Sequence, residues 1–203
     1  MGHVFNIKEK TKKKFNPEQD QARVKWIQTR ISKYRDRSGQ KSPNAGSIAA
    51  NVGISMNTLT YVVRVGLGIP VQYVSMAFDT GSDVTWLQCD PFCQSGQCHS
   101  QKDPIVNAPG SITYTNVSCL APICSTFKPG TDPFTCGYST CTFGIKYEDG
   151  SYSSGFVSQE TVTFTTSDVF TEFNFGCANN NTGLFGSVAG TLGLDRNPLS
   201  FPS

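Results

Sequence analysis

The strongest constraint on the fold is a succession of short, apolar, β-branched runs separated by turn residues. Residues 59–65 and 71–78 are two such runs, and the segment 66–70 between them carries two glycines and a proline. Similar runs follow at 84–87, 142–147, 156–165 and 169–175. With 19 Gly, 11 Pro and 14 Phe among 203 residues, the composition also favours short strands and tight turns. The sequence therefore predicts an all-β domain.

A change in charge and periodicity predicts where this domain begins. Of the 17 Lys/Arg and 15 Asp/Glu in the chain, residues 1–41 hold twelve and four, which leaves five and eleven for the rest. The chain thus has a basic head and an acidic body. Residues 38–57 are small and polar without periodicity, as in a linker. We expect a basic segment and linker at 1–56 and a β domain at 57–203.

The basic head itself predicts one short helix. Between residues 20 and 37, apolar side chains recur every three or four residues, so that in a helix they would lie on one face. These residues are Val24, Ile27, Ile31 and Tyr34. A basic segment alone is also typical of a tail that binds nucleic acid or a membrane surface. The alternative is that the basic segment binds an acidic region of the same chain.

The cysteines indicate an oxidising compartment. All eight lie between Cys89 and Cys177, an even number within the acidic body, as expected of disulfides made in the secretory pathway. Two glycosylation sequons begin at Asn116 and Asn180 and fit that route, although such tripeptides are frequent. Residues 1–8 hold no apolar run long enough for a signal peptide, and no stretch is long enough to span a membrane. We expect the sequence to begin downstream of its signal.

One short motif points to chemistry. The apolar run at 71–78 leads directly into Asp79, which is followed by Thr80, Gly81 and Ser82. A rigid strand would deliver the carboxylate to a turn that is rich in hydroxyl and backbone N–H donors, which is how a catalytic carboxylate is held. An ordinary aspartate turn at a strand end is the competing interpretation.

This motif, lying between Phe78 and Trp86, resembles the active-site signature of pepsin-like aspartic proteases. The segment 147–151 resembles the tip of that family's flap hairpin, and 188–194 resembles the strand that crosses behind the catalytic loop. The cysteine-rich insertion between them is similar to plant nepenthesin-like members. The resemblance covers about residues 20–203.

The resemblance implies the N-terminal lobe of a two-lobed fold, a six-stranded barrel-like lobe with a flap hairpin, preceded by a short prosegment helix. It implies an endopeptidase in which a pair of aspartates activates water, without cofactor or metal, on a polypeptide substrate bound in an extended conformation. Asp79 would be catalytic, with Thr80, Gly81 and Ser82 forming the active-site loop. The residues implied for the flap and substrate binding are Tyr147, Gly150, Ser151 and Trp86.

The partner aspartate is missing from this sequence, because no second Asp-Thr-Gly or Asp-Ser-Gly occurs in it. The resemblance therefore implies a C-terminal lobe that is absent here, and a chain that is inactive alone. Two alternatives stay open: a catalytically dead binding protein like the xylanase-inhibitor relatives, and a truncated, non-functional fragment. A symmetric dimer that pairs two copies of Asp79 is a further, less favoured possibility.

The resemblance also implies a prosegment, a disulfide pattern and a location. The basic head would lie across the acidic body as an inhibitory prosegment. We expect no nucleic-acid or membrane partner, and a secreted, vacuolar or plastid location. Composition leaves 105 cysteine pairings open. The resemblance implies four pairs: Cys89–Cys93, Cys98–Cys177, Cys119–Cys141 and Cys124–Cys136. Zinc bound by Cys89, Cys93, Cys98 and His99 is a competing hypothesis, disfavoured because the spacing is not that of two short Cys-x-x-Cys pairs.

Two positions depart from the nepenthesin-like pattern. Glu148 and Asp195 stand where glycine is usual, and each adds a carboxylate near the expected cleft. We expect either one to reduce activity.

Overall fold

A computed structural model describes residues 49–95, 97–127, 139–195 and 199–201. The predicted helix at 20–37 lies outside these residues, as does most of the segment 1–56. The described strands are β1 (Ala50–Val52), β2 (Tyr61–Leu67), β3 (Gln72–Asp79), β4 (Trp86–Asp90), β5 (Val106–Asn107), β6 (Thr115–Asn116), β7 (Thr142–Lys146), β8 (Tyr152–Thr165), β9 (Asp168–Thr182) and β10 (Gly190–Gly193). The described helices are α1 (Phe92–Ser95) and three 3-10 turns at Gly53–Met56, Ala108–Gly110 and Pro122–Ser125. Over these ranges, no helix has the length and apolarity of a membrane span.

Six of these strands close into a ring. The hydrogen-bonded order is β2-β3-β10-β4-β9-β8, and β8 pairs back onto β2 through Gly66 with Thr163 and Leu67 with Val162. β1 extends the edge of β2, β5 pairs with β4, and β6 and β7 pair with β8. The prediction of an all-β, six-stranded barrel-like lobe is thus confirmed.

Side-chain alternation builds the barrel core. In β2, Val63, Val65 and Leu67 are buried, and in β3 the buried residues Val74 and Met76 have the same period of two. Strand β4 is buried on both faces, since Leu87 belongs to the barrel core while its neighbour Trp86 belongs to a second apolar cluster with residues of β7, β8 and β9. That second cluster lies under the flap strands.

Strand β10 lies between β3 and β4 in the sheet. It runs parallel to β3, with Gly193 opposite Asp79, and antiparallel to β4, with Gly190 opposite Leu87. A Cβ on Gly190 would lie 2.0 Å from the backbone oxygen of Trp86, and one on Gly193 would lie 2.4 Å from that of Asp83. Glycine is therefore required at both positions for the backbones to approach this closely.

The disulfide pairing that the resemblance implied is wrong. The structure pairs Cys89 with Cys177, Cys93 with Cys98 and Cys124 with Cys141, and Cys119 is disulfide-bonded as well. Cys136 lies outside the described residues. The reason is topological. β4 and β9 run parallel with Leu87 opposite Cys177, which leaves the Cα atoms of Cys89 and Cys177 only 5.4 Å apart.

The other two pairs follow from local turns. The short helix α1 and the residues after it bring the Cα atoms of Cys93 and Cys98 to 5.5 Å. The 3-10 turn at Pro122–Ser125 leaves the Cα atom of Cys124 5.7 Å from that of Cys141, at the start of β7.

Candidate active site

Asp79 is the last residue of β3 and is fixed by its own loop. The backbone N–H of Gly81 donates to its Oδ1 at 2.9 Å, and the N–H of Leu194 donates to its backbone oxygen at 2.8 Å. The loop is also tied to β10, because the N–H of Gly193 donates to the Thr85 hydroxyl at 3.2 Å. The backbone N–H of Asp195 donates to the carbonyl of Ser82 at 3.1 Å. The partly exposed carboxylate is thus held by one backbone N–H, and further hydrogen bonds tie the loop that carries it to β10 and the residues after it.

The hairpin of β7 and β8 forms the opposite wall. Its tip is closed by the N–H of Tyr147 donating to the Ser151 oxygen at 2.8 Å and the N–H of Gly150 donating to the Tyr147 oxygen at 3.0 Å. Gly150 has φ +88°, and the Asp149 carboxylate accepts from the Ser151 N–H at 2.8 Å. Asp149 and Gly150 therefore form a tight turn at the tip of the hairpin, in the segment that resembles the flap tip.

A cleft of about 690 Å³ separates the active-site loop from the hairpin. The active-site loop and the hairpin supply most of its lining, and the residues just after the 3-10 turn at Pro122–Ser125 complete it together with Leu199. The lining residues are Asp79, Gly81, Ser82, Asp83, Val84, Thr126, Phe127, Phe143, Gly144, Ile145, Lys146, Tyr147, Glu148, Asp149 and Leu199. The volume is within the range of ligand-binding clefts.

Tyr147 is held inside this cleft as a neutral phenol. The indole N–H of Trp86 donates to its hydroxyl at 2.7 Å. Burial raises the pKa of Tyr147 to about 12, and the Asp79 carboxylate adds to the rise because a second negative charge nearby is unfavourable. The phenol accepts the indole hydrogen bond and keeps its own proton.

Four residues were predicted for the flap and substrate binding, and they differ in whether they line the cleft. Tyr147 lines the cleft, and Gly150 is exposed at the hairpin tip. Trp86 is fully buried and contacts the phenol of Tyr147, so the expectation that it contacts substrate is corrected. Ser151 is 3% exposed, and its hydroxyl accepts from the Leu184 N–H at 3.0 Å, so it faces away from the cleft.

Sequence reasoning missed most of the apolar cleft wall. Thr126, Phe127 and Leu199 line the cleft, yet they lie far from both motifs in sequence, and no local pattern marks them. Glu148, one of the two departures, is exposed and lines the cleft, whereas Asp195 lies beside the active-site loop outside the lining set.

The two predicted glycosylation asparagines differ in exposure. Asn116 is exposed on β6, where its side-chain oxygen accepts from the Tyr114 hydroxyl at 2.8 Å. Asn180 is half-buried on β9, where it bridges to Gln97. Glycosylation at either position stays a prediction.

His99 contacts the edge of the Trp86 indole from the side away from the hairpin. One ring nitrogen, Nε2, lies 2.8 Å from the Val188 oxygen, and the ring stands nearly perpendicular to that of Trp86 with centroids 6.4 Å apart. Burial lowers the pKa of His99 below its usual 6.5, and the hydrogen bond to Val188 offsets this only in part. The imidazole is therefore preferentially neutral in the fold.

This shift predicts a pH-dependent stability. Below pH 6.5 the unfolded chain takes up a proton at His99 that the folded chain does not, so stability is complete above pH 6.5 and falls as the pH drops towards the folded-state pKa. We expect the urea midpoint to decrease from pH 7 to pH 5, and His99→Gln to reduce that decrease. A pH dependence identical in the two proteins would show that His99 is not its source.

Comparison with known proteins gives the family. Residues 61–203 match the family described as "Xylanase inhibitor N-terminal". The chain is 44% identical over 185 residues to an aspartyl protease family protein of Arabidopsis thaliana, covering 91% of this chain and 39% of that protein. It is 42% identical over 184 residues to the aspartyl protease AED1 of Arabidopsis thaliana, covering 91% and 38%.

Two further proteins match a smaller part of the chain. The chain is 36% identical over 144 residues to the aspartic proteinase nepenthesin-1 of Nepenthes gracilis, covering 70% of this chain and 31% of that protein. A crystal structure of the aspartic proteinase from Irpex lacteus matches with 24% identity and a TM-score of 0.44, covering 72% and 30%. The chain therefore spans well under half the length of each of these relatives. The family profile, with the placement of Asp79 at the strand end beneath the hairpin, shows that the chain belongs to the pepsin-like aspartic proteases and is similar to the plant nepenthesin-type members.

Proposed function

We propose that this chain is the N-terminal lobe of an aspartic endopeptidase, in which Asp79 supplies one of two carboxylates that activate water. The observation that supports it is the placement of Asp79. Its carboxylate is oriented by the Gly81 N–H, partly exposed, and on the wall of a cleft that the Tyr147 hairpin covers. A peptide in an extended conformation fits such a cleft between two walls.

The chemistry needs two carboxylates that share one proton. Like charges so close cannot both ionise, so one carboxylate serves as the base that removes a proton from water while the protonated one donates to the carbonyl oxygen of the scissile bond. Water attacks the carbonyl carbon, and no covalent intermediate with the enzyme forms. The second aspartate would come from a C-terminal lobe, which agrees with the greater length of the relatives.

Proteolysis by the longer polypeptide, this chain followed by its natural continuation, tests the proposal. We expect it to cleave a denatured protein at acid pH, with inhibition by pepstatin. The 203-residue chain alone is expected to be inactive under the same conditions. Absence of pepstatin-sensitive cleavage by the longer polypeptide would reject the proposal.

A second candidate is a pepsin-fold protein that binds another enzyme without catalysis. The description of the matched family motivates it, since that description names a xylanase inhibitor. The intact loop of Asp79, Thr80, Gly81 and Ser82 favours catalysis instead. Inhibition of a xylanase by a longer polypeptide that cleaves nothing would favour this second candidate.

The basic head is proposed as an inhibitory prosegment. Residues 1–41 carry +8 and residues 42–203 carry −6, so the two parts attract each other until acid protonates the carboxylates. We expect residues 20–50 to inhibit the longer polypeptide at neutral pH and to be cleaved off at acid pH. A shortened polypeptide beginning at Asn57 should be active at a higher pH than the complete one. Superimposable pH profiles would contradict the proposal.

The disulfides support a location in the secretory pathway. Seven of the cysteines in the described residues are in disulfide bonds, which form and persist in oxidising compartments. We therefore propose that the protein is secreted or vacuolar.

A further inference from the structure

Phe185 contacts the flap tyrosine, Tyr147, and is not itself among the residues that line the cleft. It lies on the loop between β9 and β10, and its ring centroid is 5.9 Å from that of Tyr147 and 4.9 Å from that of Trp86. Both pairs are nearly perpendicular, at 74° and 77°, which is the preferred edge-to-face geometry. His99 packs against the same ring with centroids 5.4 Å apart. We call Trp86, His99, Tyr147 and Phe185 the aromatic cluster.

The loop that carries Phe185 is anchored on both sides of it. On one side, the Leu184 N–H donates to the hydroxyl of Ser151, the residue just before β8. On the other, the Ser187 N–H donates to the Met56 oxygen at 2.7 Å, beside the barrel. Gly183 has φ +129°, and a Cβ there would lie 2.2 Å from the Ser151 hydroxyl oxygen, so the loop and the hairpin approach closely. Phe185 therefore lies on a short loop that is hydrogen-bonded to the hairpin on one side and to the barrel on the other.

Phe185 is not among the residues that line the cleft. Besides His99, its ring contacts the two side chains that form the Trp86–Tyr147 hydrogen bond. Because edge-to-face contact restricts how a ring turns, Phe185 limits the positions of the Tyr147 ring to those in which its hydroxyl reaches the indole N–H.

We propose that Phe185 is a positioning residue for the flap, holding Tyr147 against Trp86 above Asp79. Its meaning for catalysis rests on the proposed endopeptidase function, whereas its hold on the hairpin is a property of this chain alone. Replacing the ring by a smaller side chain should free the hairpin without opening the barrel.

Hydrogen exchange in the 203-residue chain tests this hold directly. We expect Phe185→Ala to accelerate exchange of the Tyr147 and Gly150 amides by about tenfold, the factor that the loss of these aromatic pairs would give. The amides of β3 and β10 should keep their protection. Leu184→Ala is the matched control, because Leu184 is the neighbouring residue on the same loop and is 85% exposed. It should leave the hairpin amides unchanged.

Two more variants separate positioning from packing. Phe185→Tyr keeps the ring and should retain wild-type exchange, whereas Phe185→Leu keeps apolar volume without a ring and should accelerate exchange at the hairpin. Phe185→Leu also serves if Phe185→Ala does not fold. Wild-type hairpin exchange in Phe185→Leu, or equal acceleration throughout the barrel, would overturn the proposal.

Trp86 fluorescence gives an independent readout. The chain has two tryptophans, so Trp26→Phe leaves Trp86 as the single emitter. Phe185→Leu should shift its emission to longer wavelength, since a freed Tyr147 lets water reach the indole, and Phe185→Tyr should not. No shift in Phe185→Leu would count against the proposal.

Kinetics in the longer polypeptide separate this inference from the proposed function. Phe185→Leu should lower kcat/KM mainly by raising KM, because the flap closes over the peptide less often. If the longer polypeptide cleaves nothing, the proposed function fails, yet the exchange and fluorescence results still decide whether Phe185 holds the hairpin. Faster hairpin exchange with unchanged kinetics in an active enzyme would reject the positioning role.

Discussion

Asp79→Asn is expected to lower peptide hydrolysis by the longer polypeptide at least about a thousandfold, the upper part of the range for loss of a general acid–base group. The amide is close in shape to the carboxylate, and its oxygen can still accept from the Gly81 N–H that donates to Oδ1 at 2.9 Å. The active-site loop should therefore keep its conformation. What the substitution removes is the ionisable group that, in the proposed mechanism, shares a proton with a second aspartate.

The rate of cleavage of a denatured protein at acid pH measures this effect, with thermal unfolding recorded alongside. Glu172→Gln is the matched control, because it is the same change of acid to amide at an exposed position on β9, outside the cleft lining. It should retain full activity. Residual cleavage by Asp79→Asn within tenfold of the parent rate would contradict a catalytic role for this carboxylate.

Gly190→Val is expected to destabilise the lobe severely. The added Cβ would lie 2.0 Å from the Trp86 backbone oxygen and 2.6 Å from the Leu87 Cα, and neither atom can move without separating β10 from β4. We expect a cost of more than about 4 kcal/mol, in the exceptional range for one substitution. Since small domains are stable by only about 5–15 kcal/mol, a loss of this size removes a large part of the stability of the lobe.

Soluble yield and circular dichroism report on this loss. Gly150→Asn is the matched control, because no atom lies within 4 Å of the added Cβ and asparagine tolerates a positive φ better than other residues. It should cost little stability. A folded Gly190→Val protein with a wild-type urea midpoint would mean that β10 does not sit as closely against β4 as described.

Local patterns in the sequence predicted which strands form better than they predicted where each strand begins and ends. The runs at 59–65 and 71–78 correspond to β2 and β3, displaced by one or two residues, because apolar character does not end where hydrogen bonding ends. The last long strands exceed their predicted lengths: β8 begins at Tyr152 rather than at 156, and β9 continues to Thr182, past the apolar run that ended at 175. Pairing with β8 sustains its polar end, and this tertiary contribution is invisible to local periodicity.

The catalytic loop and the hairpin turn were predictable because their chemistry is local. Gly81 reaches Asp79 across two residues, and Gly150 closes a five-residue turn. The cysteine pairs and the role of Trp86 were not predictable in this way. Which cysteines meet depends on the parallel register of β4 with β9, and the contact of Trp86 with Tyr147 spans 61 residues. Such contacts follow from topology, which spacing along the chain does not encode.

The place of β10 in the ring bears on how the chain matures. β3 and β4 are neighbours in sequence, yet the slot between them is filled by a strand that begins at Gly190, the last of the ten to be synthesised. A nascent chain that has not reached this point carries two strand edges and an apolar interior that nothing yet closes. Closure thus depends on a late, long-range contact, which slows folding and prolongs the need for chaperone protection.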